Sequence, residues 1–170
     1  LAAGDRSEIQ RIDVGLCGER RFLLRVGVGY HARSISLTTR ELRDRFGKLA
    51  YFIAGMQALP SSQIRRYRFT VDGEEIDAEG AACLVENAGS IGLPDLTLMP
   101  GTSISDGLLD LVLVQNVDFG ALLSAAASIA GLPDEGERLR HWSGREIKIA
   151  SDQAEPVVVD GEPWGETPCT

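Results

Sequence analysis

Asp-Gly pairs stand at 72–73, 106–107 and 160–161, each beside a short apolar run, and this punctuation is what most restricts the fold. Glycine accepts the positive φ that a sharp reversal needs, so such pairs cut the chain into strand-length pieces joined by tight turns. Two of them also place an acid where it can be held. Asp106-Gly107-Leu108 lies inside Ser105–Val112, and Asp160-Gly161-Glu162 follows Val157-Val158-Val159. A carboxylate fixed on a turn suits metal binding or proton removal.

The runs between the turns carry a period of two. Ile9–Cys17 and Arg21–Val28 alternate and meet at Gly18-Glu19, which predicts a hairpin. Gln63–Val71 alternates up to the Asp72-Gly73 turn. Ala81–Glu86, Leu108–Gln115, Glu146–Ala150 and Pro156–Val159 read as further strands. Helical spacing occurs in two places. Leu37, Leu42, Phe46, Leu49, Ala50, Ile53 and Met56 predict one or two helices between about Ser34 and Leu59, and Phe119–Ile129 is an alanine-rich helix ended by Gly131 and Pro133. Gly89–Gly101, with Pro94 and Pro100, reads as loop. The expected fold class is mainly β, a β-sandwich with a few helical insertions.

Composition bounds the function. A chain of 170 residues that is 44% hydrophobic can bury one substantial core. Its net charge of −8 excludes a nucleic-acid binder of the ordinary kind, which needs a positive surface. Basic residues nonetheless gather locally, at Arg33, Arg40, Arg43, Arg45 and Lys48 and at Arg65, Arg66 and Arg68. They form either a solvated face or a surface that meets anionic lipid or phosphate. Cys17, Cys83 and Cys169 show no CxxC spacing, and with only His31 and His141 beside them a structural zinc site is not expected. A reduced, cytoplasmic setting fits these cysteines. No apolar run approaches the roughly 20 residues of a membrane span. The start, Leu1-Ala2-Ala3-Gly4-Asp5, and the stop at Pro168-Cys169-Thr170 read as the bounds of a piece of a larger protein.

Each candidate site has a plain structural reading beside the chemical one. Ser103–Leu108 is either a turn or a hard-cation site built from the Asp106 carboxylate and backbone carbonyls. Asp160-Gly161-Glu162 is either a hairpin turn or the mount for a general base. Gly27-Val28-Gly29-Tyr30-His31-Ala32 suggests dinucleotide binding, but its surroundings are not βαβ, and close backbone approach at a strand end explains it better. His31 reads as structural, and Trp164 as packing. Asn87–Gly92 is a loop or a backbone cradle for a phosphate or headgroup.

Taken in order, these segments resemble the C-terminal domain of the diacylglycerol kinase and sphingosine kinase superfamily, in its bacterial lipid-kinase branch. The stretches that carry the resemblance are Arg11-Ile12-Asp13 with Arg21-Phe22-Leu23, Gly27–Ala32, Gly47–Tyr51, Val85-Glu86-Asn87, Pro100 through Asp106–Val112, and Val159-Asp160-Gly161-Glu162. The resemblance implies a single domain over residues 1–170, a β-sandwich of the NAD kinase and diacylglycerol kinase C-terminal type. It also implies transfer of the γ-phosphate of ATP to a lipid hydroxyl such as that of diacylglycerol. ATP would sit mainly on an N-terminal domain with a Gly-Gly-Asp-Gly-Thr motif, which this chain lacks, so the chain alone is expected to be inactive.

By the same resemblance Glu162 is the proton acceptor, Asp160 its acidic supporter, and Ser103, Asp106 and Leu108 the ligands of a Mg2+ ion, Ser103 and Leu108 through backbone oxygens. A lipid substrate, peripheral contact with the inner membrane face and a homodimer through a sandwich edge complete the expectations. His31 and Ser90–Pro94 depart from the family pattern. Two alternatives stand beside this: a non-catalytic sandwich that binds lipid or protein, and an NAD-kinase-like enzyme.

Overall fold

In a computed structural model the chain is described over residues 11–37, 44, 58, 63–87, 103–117 and 139–170. Eleven strands and one helix with described bounds fall in these residues, and Asp44 and Ala58 are helical too. They are β1 (Gly15–Cys17), β2 (Arg20–Phe22), β3 (Arg25–Gly29), α1 (Tyr30–Leu37), β4 (Arg65–Val71), β5 (Glu74–Gly80), β6 (Ala82–Glu86), β7 (Leu109–Val114), β8 (Leu139–Gly144), β9 (Ile147–Ser151), β10 (Pro156–Val159) and β11 (Glu162–Glu166). A six-stranded sheet runs β11-β10-β3-β6-β7-β8, a three-stranded sheet runs β5-β4-β9, and β1-β2 form a separate ribbon. Every neighbouring pair is antiparallel.

The two larger sheets face each other across one core, because alternation sends every second side chain inward. On the larger sheet the inward rows follow the register. Val157, Val28, Cys83 and Leu113 stand opposite one another, as do Val159, Val26, Val85 and Leu111. The smaller sheet answers with Tyr67, Phe69, Val71, Ile147 and Ile149, and Phe22 closes one end. The Tyr67 and Phe69 rings stack with centroids 5.6 Å apart. Each aliphatic side chain buried here contributes about 1.5–3 kcal/mol against exposure, so these rows carry most of the favourable free energy.

The opposite face of the large sheet carries α1, whose entry depends on Gly29. Gly29 takes φ 74°, and a side chain there would lie 2.7 Å from the Tyr67 hydroxyl and 2.9 Å from the Ala81 carbonyl. Close approach at a strand end is thus the reason for this glycine. Gly27 leaves room for the His31 ring, whose Cδ2 would lie 2.2 Å from an added Cβ. Helix, loop and small sheet are joined through Glu155, which has no exposed surface. Its carboxylate accepts from Arg33 at 2.5 Å and from Arg65 Nε at 2.6 Å.

The expected hairpin at Gly18-Glu19 is present, and Asp72-Gly73 joins β4 to β5 with φ 48° and 92°. The expected single run Arg21–Val28 is instead two strands in different sheets, broken at Leu23-Leu24. Strands β5, β8 and β11 are absent from the sequence reading because they are largely exposed and mix charged with apolar side chains. Arg33 and Arg65 pair with Glu155, Arg66 with Glu79 and Arg68 with Asp77, so this part of the basic clustering is internally compensated. Of the helices expected between Ser34 and Leu59, only Asp44 and Ala58 are described beyond Leu37, and both are helical. Arg40, Arg43, Arg45 and Lys48, the Gly89–Gly101 loop and the Phe119–Ile129 helix lie outside the described residues. No described helix is long and apolar enough to cross a membrane.

Removing the Glu155 carboxylate strands two guanidinium groups that it now neutralises. Glu155→Ala is expected to lower unfolding free energy by about 3–5 kcal/mol in urea titrations. A loss under about 1 kcal/mol would show that water already serves both arginines.

Candidate functional site

Strands β10 and β11 form a hairpin whose flanking pair is Val159 and Glu162, leaving Asp160 and Gly161 as the two-residue turn. Both take positive φ, 49° and 84°, as this tight reversal requires. The Asp160 side chain then turns back onto the sheet. Its Oδ2 accepts from the Leu23 amide at 2.8 Å, and its Oδ1 from the amides of Leu24 and Arg25, both at 2.9 Å. In return the Asp160 amide donates to the Arg25 carbonyl at 2.9 Å. The break between β2 and β3 thus exists around a carboxylate, and Asp160 is committed to backbone.

Glu162 differs. It is the first residue of β11, at the edge of the large sheet, and it is exposed. Asp160 fixes the turn immediately before it, so the backbone at Glu162 is held while its carboxylate faces solvent. Trp164, two residues on, is 44% exposed and lies beneath the Arg20 guanidinium, 5.4 Å from the ring centroid. It covers charge at the surface and is not core.

The second motif is tied to the same frame. Asp106 Oδ1 accepts from the Leu108 amide at 3.0 Å, and Gly107, at φ 74°, donates its amide to Asp13 Oδ2 at 2.7 Å. Asp13 also donates its amide to the Ile104 carbonyl at 2.8 Å. The Asn87 side-chain amide donates at 2.9 Å to the carbonyls of both Asp13 and Leu23. A continuous set of hydrogen bonds therefore runs from Gly107 through Asp13, Asn87 and Leu23 to Asp160. The sequence reading places Asp13 in the Ile9–Cys17 run and Asn87 at the start of a loop or cradle, and their role as connectors has no sequence signal of its own.

Among the described residues no group of three His, Cys, Asp or Glu side chains could hold a metal. The donors at Ser103, Asp106 and Leu108 are one exposed carboxylate and backbone oxygens. Such a set suits a hard cation that keeps most of its water, and it does not suit zinc.

A polar row crosses the large sheet on the face away from the core. Arg25 stands opposite Glu86, Glu86 opposite Asp110, and Asp110 opposite Ser143. Arg25 and Glu86 pair at 3.5 Å, both buried. Burial pushes the Glu86 carboxyl up to about 7, with Arg25 opposing the rise and Asp110 adding to it. Asp110 Oδ1 accepts from the Ser143 hydroxyl at 2.6 Å and meets His141 Nε2 at 2.7 Å. His31 is pushed down to about 3, by burial first and by Arg25 second, so it is neutral at physiological pH. In the sequence reading Glu86 and Asp110 appear only within expected strands and stretches that carry the resemblance.

A groove of about 650 Å³ lies elsewhere, over Arg66, Arg68, Asp77, Glu79 and Asp152 on the outer side of the small sheet. None of Ser103, Asp106, Leu108, Asp160 and Glu162 lines it.

Residues 25–170 match the model of a family described as the YegS C-terminal NAD kinase beta sandwich-like domain. An uncharacterised Synechocystis sp. protein, sll0036, is 30% identical over 166 residues, covering 92% of this chain and 37% of that protein. A diacylglycerol kinase of Staphylococcus carnosus is 27% identical over 164 residues, covering 93% of this chain and 52% of the kinase. The chain thus spans about half or less of the length of these relatives. A crystal structure of a diacylglycerol kinase from Bacillus anthracis str. Sterne superposes with a TM-score of 0.65 at 20% identity, over 94% of this chain and 52% of that one. At that identity the likeness is one of fold.

The raised Glu86 carboxyl has a measurable consequence. A group that holds its proton more tightly when folded adds stability below its unfolded value of 4.5, and that stability is lost as pH rises through about 7. Thermal melts of the protein and of Glu86→Gln should therefore diverge between these values, with the native protein losing ground as pH rises. Neutral His31 acts oppositely, losing stability as pH falls from 6.5 through about 3, but equally in both proteins. Parallel pH profiles would mean that Glu86 is ionised throughout.

Proposed function

Since the chain belongs to the YegS C-terminal NAD kinase beta sandwich-like domain family, and so to a superfamily of kinase-like proteins, we propose that it is the acceptor-side, base-bearing domain of an ATP-dependent lipid kinase. Residues 1–170 form a single domain in this reading, and the acceptor is a lipid hydroxyl such as that of diacylglycerol. The observation that carries it is the β10–β11 hairpin: Asp160 is locked by three amides while Glu162, on the same turn, is open to solvent. Named diacylglycerol kinases among the relatives support the substrate class.

In this reading Glu162 accepts the hydroxyl proton as the lipid oxygen attacks the γ-phosphorus of ATP. Asp160 is a positioning residue, since its oxygens are taken up by backbone amides. Phosphoryl transfer depends mainly on placement and charge neutralisation, so a held base beside a rigid loop is a sensible contribution. Ser103, Asp106 and Leu108 would hold Mg2+, which when bound supplies positive charge and orders the loop. Their hard oxygen donors fit that ion in kind. ATP would be bound mainly by a partner domain outside this chain, and the enzyme would work in the cytoplasm against the inner membrane face.

One observation favours a second reading, a sandwich that binds lipid or protein without catalysis. Leu16 stands opposite Arg21 on the exposed side of the β1–β2 ribbon, and Ile12, Val14 and Leu23 in the segments flanking it are exposed as well, all four at 46–59%. An NAD-kinase-like activity and pairing of the β11 edge into a homodimer are further outcomes that the same preparations would reveal.

The test is phosphate transfer from ATP to diacylglycerol by the full-length protein, run beside Glu162→Gln and beside NAD as acceptor. Loss of a general base costs about 10²–10⁴-fold in kcat, so the variant should fall by that factor with an unchanged melting temperature. Near-wild-type turnover would remove Glu162 from the chemistry. An inactive parent that binds lipid vesicles would favour the second reading.

A further inference from the structure

Cys17 and Cys169 lie 152 positions apart in sequence but come together at one end of the core. The Gly18 amide donates to the Thr170 carbonyl at 2.8 Å, so the neighbours of both cysteines are already bonded to each other. Cys169 pairs with Ile149 through two backbone bonds, which turns its side chain the same way as Ile149, into the core. Both cysteines line a small cavity of about 20 Å³, together with Phe22, Val85, Leu109 and Ile149. That is room for a molecule near the size of water.

We propose that Cys17 and Cys169 form a reversible disulfide, making this end of the sandwich an oxidation site for peroxide. The two thiols are within hydrogen-bonding reach. That contact favours the Cys17 thiolate, lowering its pKa against the rise that burial imposes, and keeps Cys169 protonated. The Cys17 thiolate attacks one peroxide oxygen, the O–O bond breaks, and sulfenic acid and hydroxide result. Cys169 sulfur then attacks the Cys17 sulfur, the S–O bond breaks, and water leaves with the thiol proton. Two electrons pass from the pair of thiols to the peroxide.

Cys83 is the internal control. It lies fully buried between Val28 and Leu113, with burial and Glu155 raising its pKa, so it stays a thiol. The crosslink would join the tip of the β1–β2 ribbon to the segment after β11. It would thereby close a loop around most of the chain and stiffen the frame that holds the Asp160 turn.

Peptide mapping of the full-length protein decides the matter, independently of any phosphotransfer activity. The protein is treated with hydrogen peroxide, unfolded in denaturant containing N-ethylmaleimide and digested without reductant. The expected product is a Cys17 peptide joined to a Cys169 peptide, lighter by two hydrogens than the two together and lost on dithiothreitol. Cys83 should be recovered blocked by maleimide. In Cys169→Ser, Cys17 should persist as sulfenic acid and be captured by dimedone. Recovery of Cys17 and Cys169 both blocked, both over-oxidised without a link, or Cys17 joined to Cys83 would overturn the proposal. Because the main readout uses the unmutated protein, it does not depend on a variant folding.

Discussion

Three amides of the β2–β3 corner converge on the Asp160 carboxylate, and the geometry of the β10–β11 turn depends on that convergence. Leu23 and Leu24 lie in the break between β2 and β3 and Arg25 opens β3, so the carboxylate bridges the break to the strand that follows it. Hydrogen bonds to a charged group contribute about 1.5–3 kcal/mol each when shielded and less near solvent, so three together outweigh the strain of a positive φ at a non-glycine residue. Asp160 also donates its own amide to Arg25, which makes the junction reciprocal. The turn cannot drift without breaking the corner.

Asp72 repeats the device at the other sheet. Its Oδ1 accepts from the amides of Arg145 and Glu146 at 2.9 and 2.8 Å, and its own amide donates to the Glu146 carbonyl. In both cases an aspartate with positive φ opens a two-residue turn and clamps the corner of a neighbouring strand. Asp106 does something else. It accepts from its own Leu108 amide, and the clamp on that loop comes from Asp13. The two clamping aspartates are framework, and the acids two residues after them, Glu74 and Glu162, are both exposed; the proposed function assigns the proton transfer to Glu162. A functional group held on a rigid mount with its own carboxylate uncommitted is what proton transfer requires.

Much of the fold could be read from residues. Alternation located β4, and apolar runs between turns located β6, β7, β9 and β10, because their inward side chains are uniformly apolar. Alternation failed where a strand is exposed or its inner positions are small or polar: Glu74–Gly80, Leu139–Gly144 and Glu162–Glu166 offer too little contrast. The division of Arg21–Val28 was hidden because its cause, Asp160, lies 135 residues away from Arg25. For the site, turn chemistry showed where carboxylates are fixed but not what they bind. Asp160 satisfies the plain hairpin reading in full. Connections through Asp13 and Asn87, and the Arg25–Glu86–Asp110–Ser143 row, are set by register between strands far apart in sequence.

Amide hydrogen exchange tests the central claim most directly, since it reports the three bonds individually. In Asp160→Ala the Leu23, Leu24 and Arg25 amides should lose protection together, by about tenfold or more, while amides within β6 and β7 keep theirs. Unchanged exchange at those three positions, in a protein otherwise folded, would mean that the corner holds without its carboxylate and that Asp160 is not what mounts Glu162.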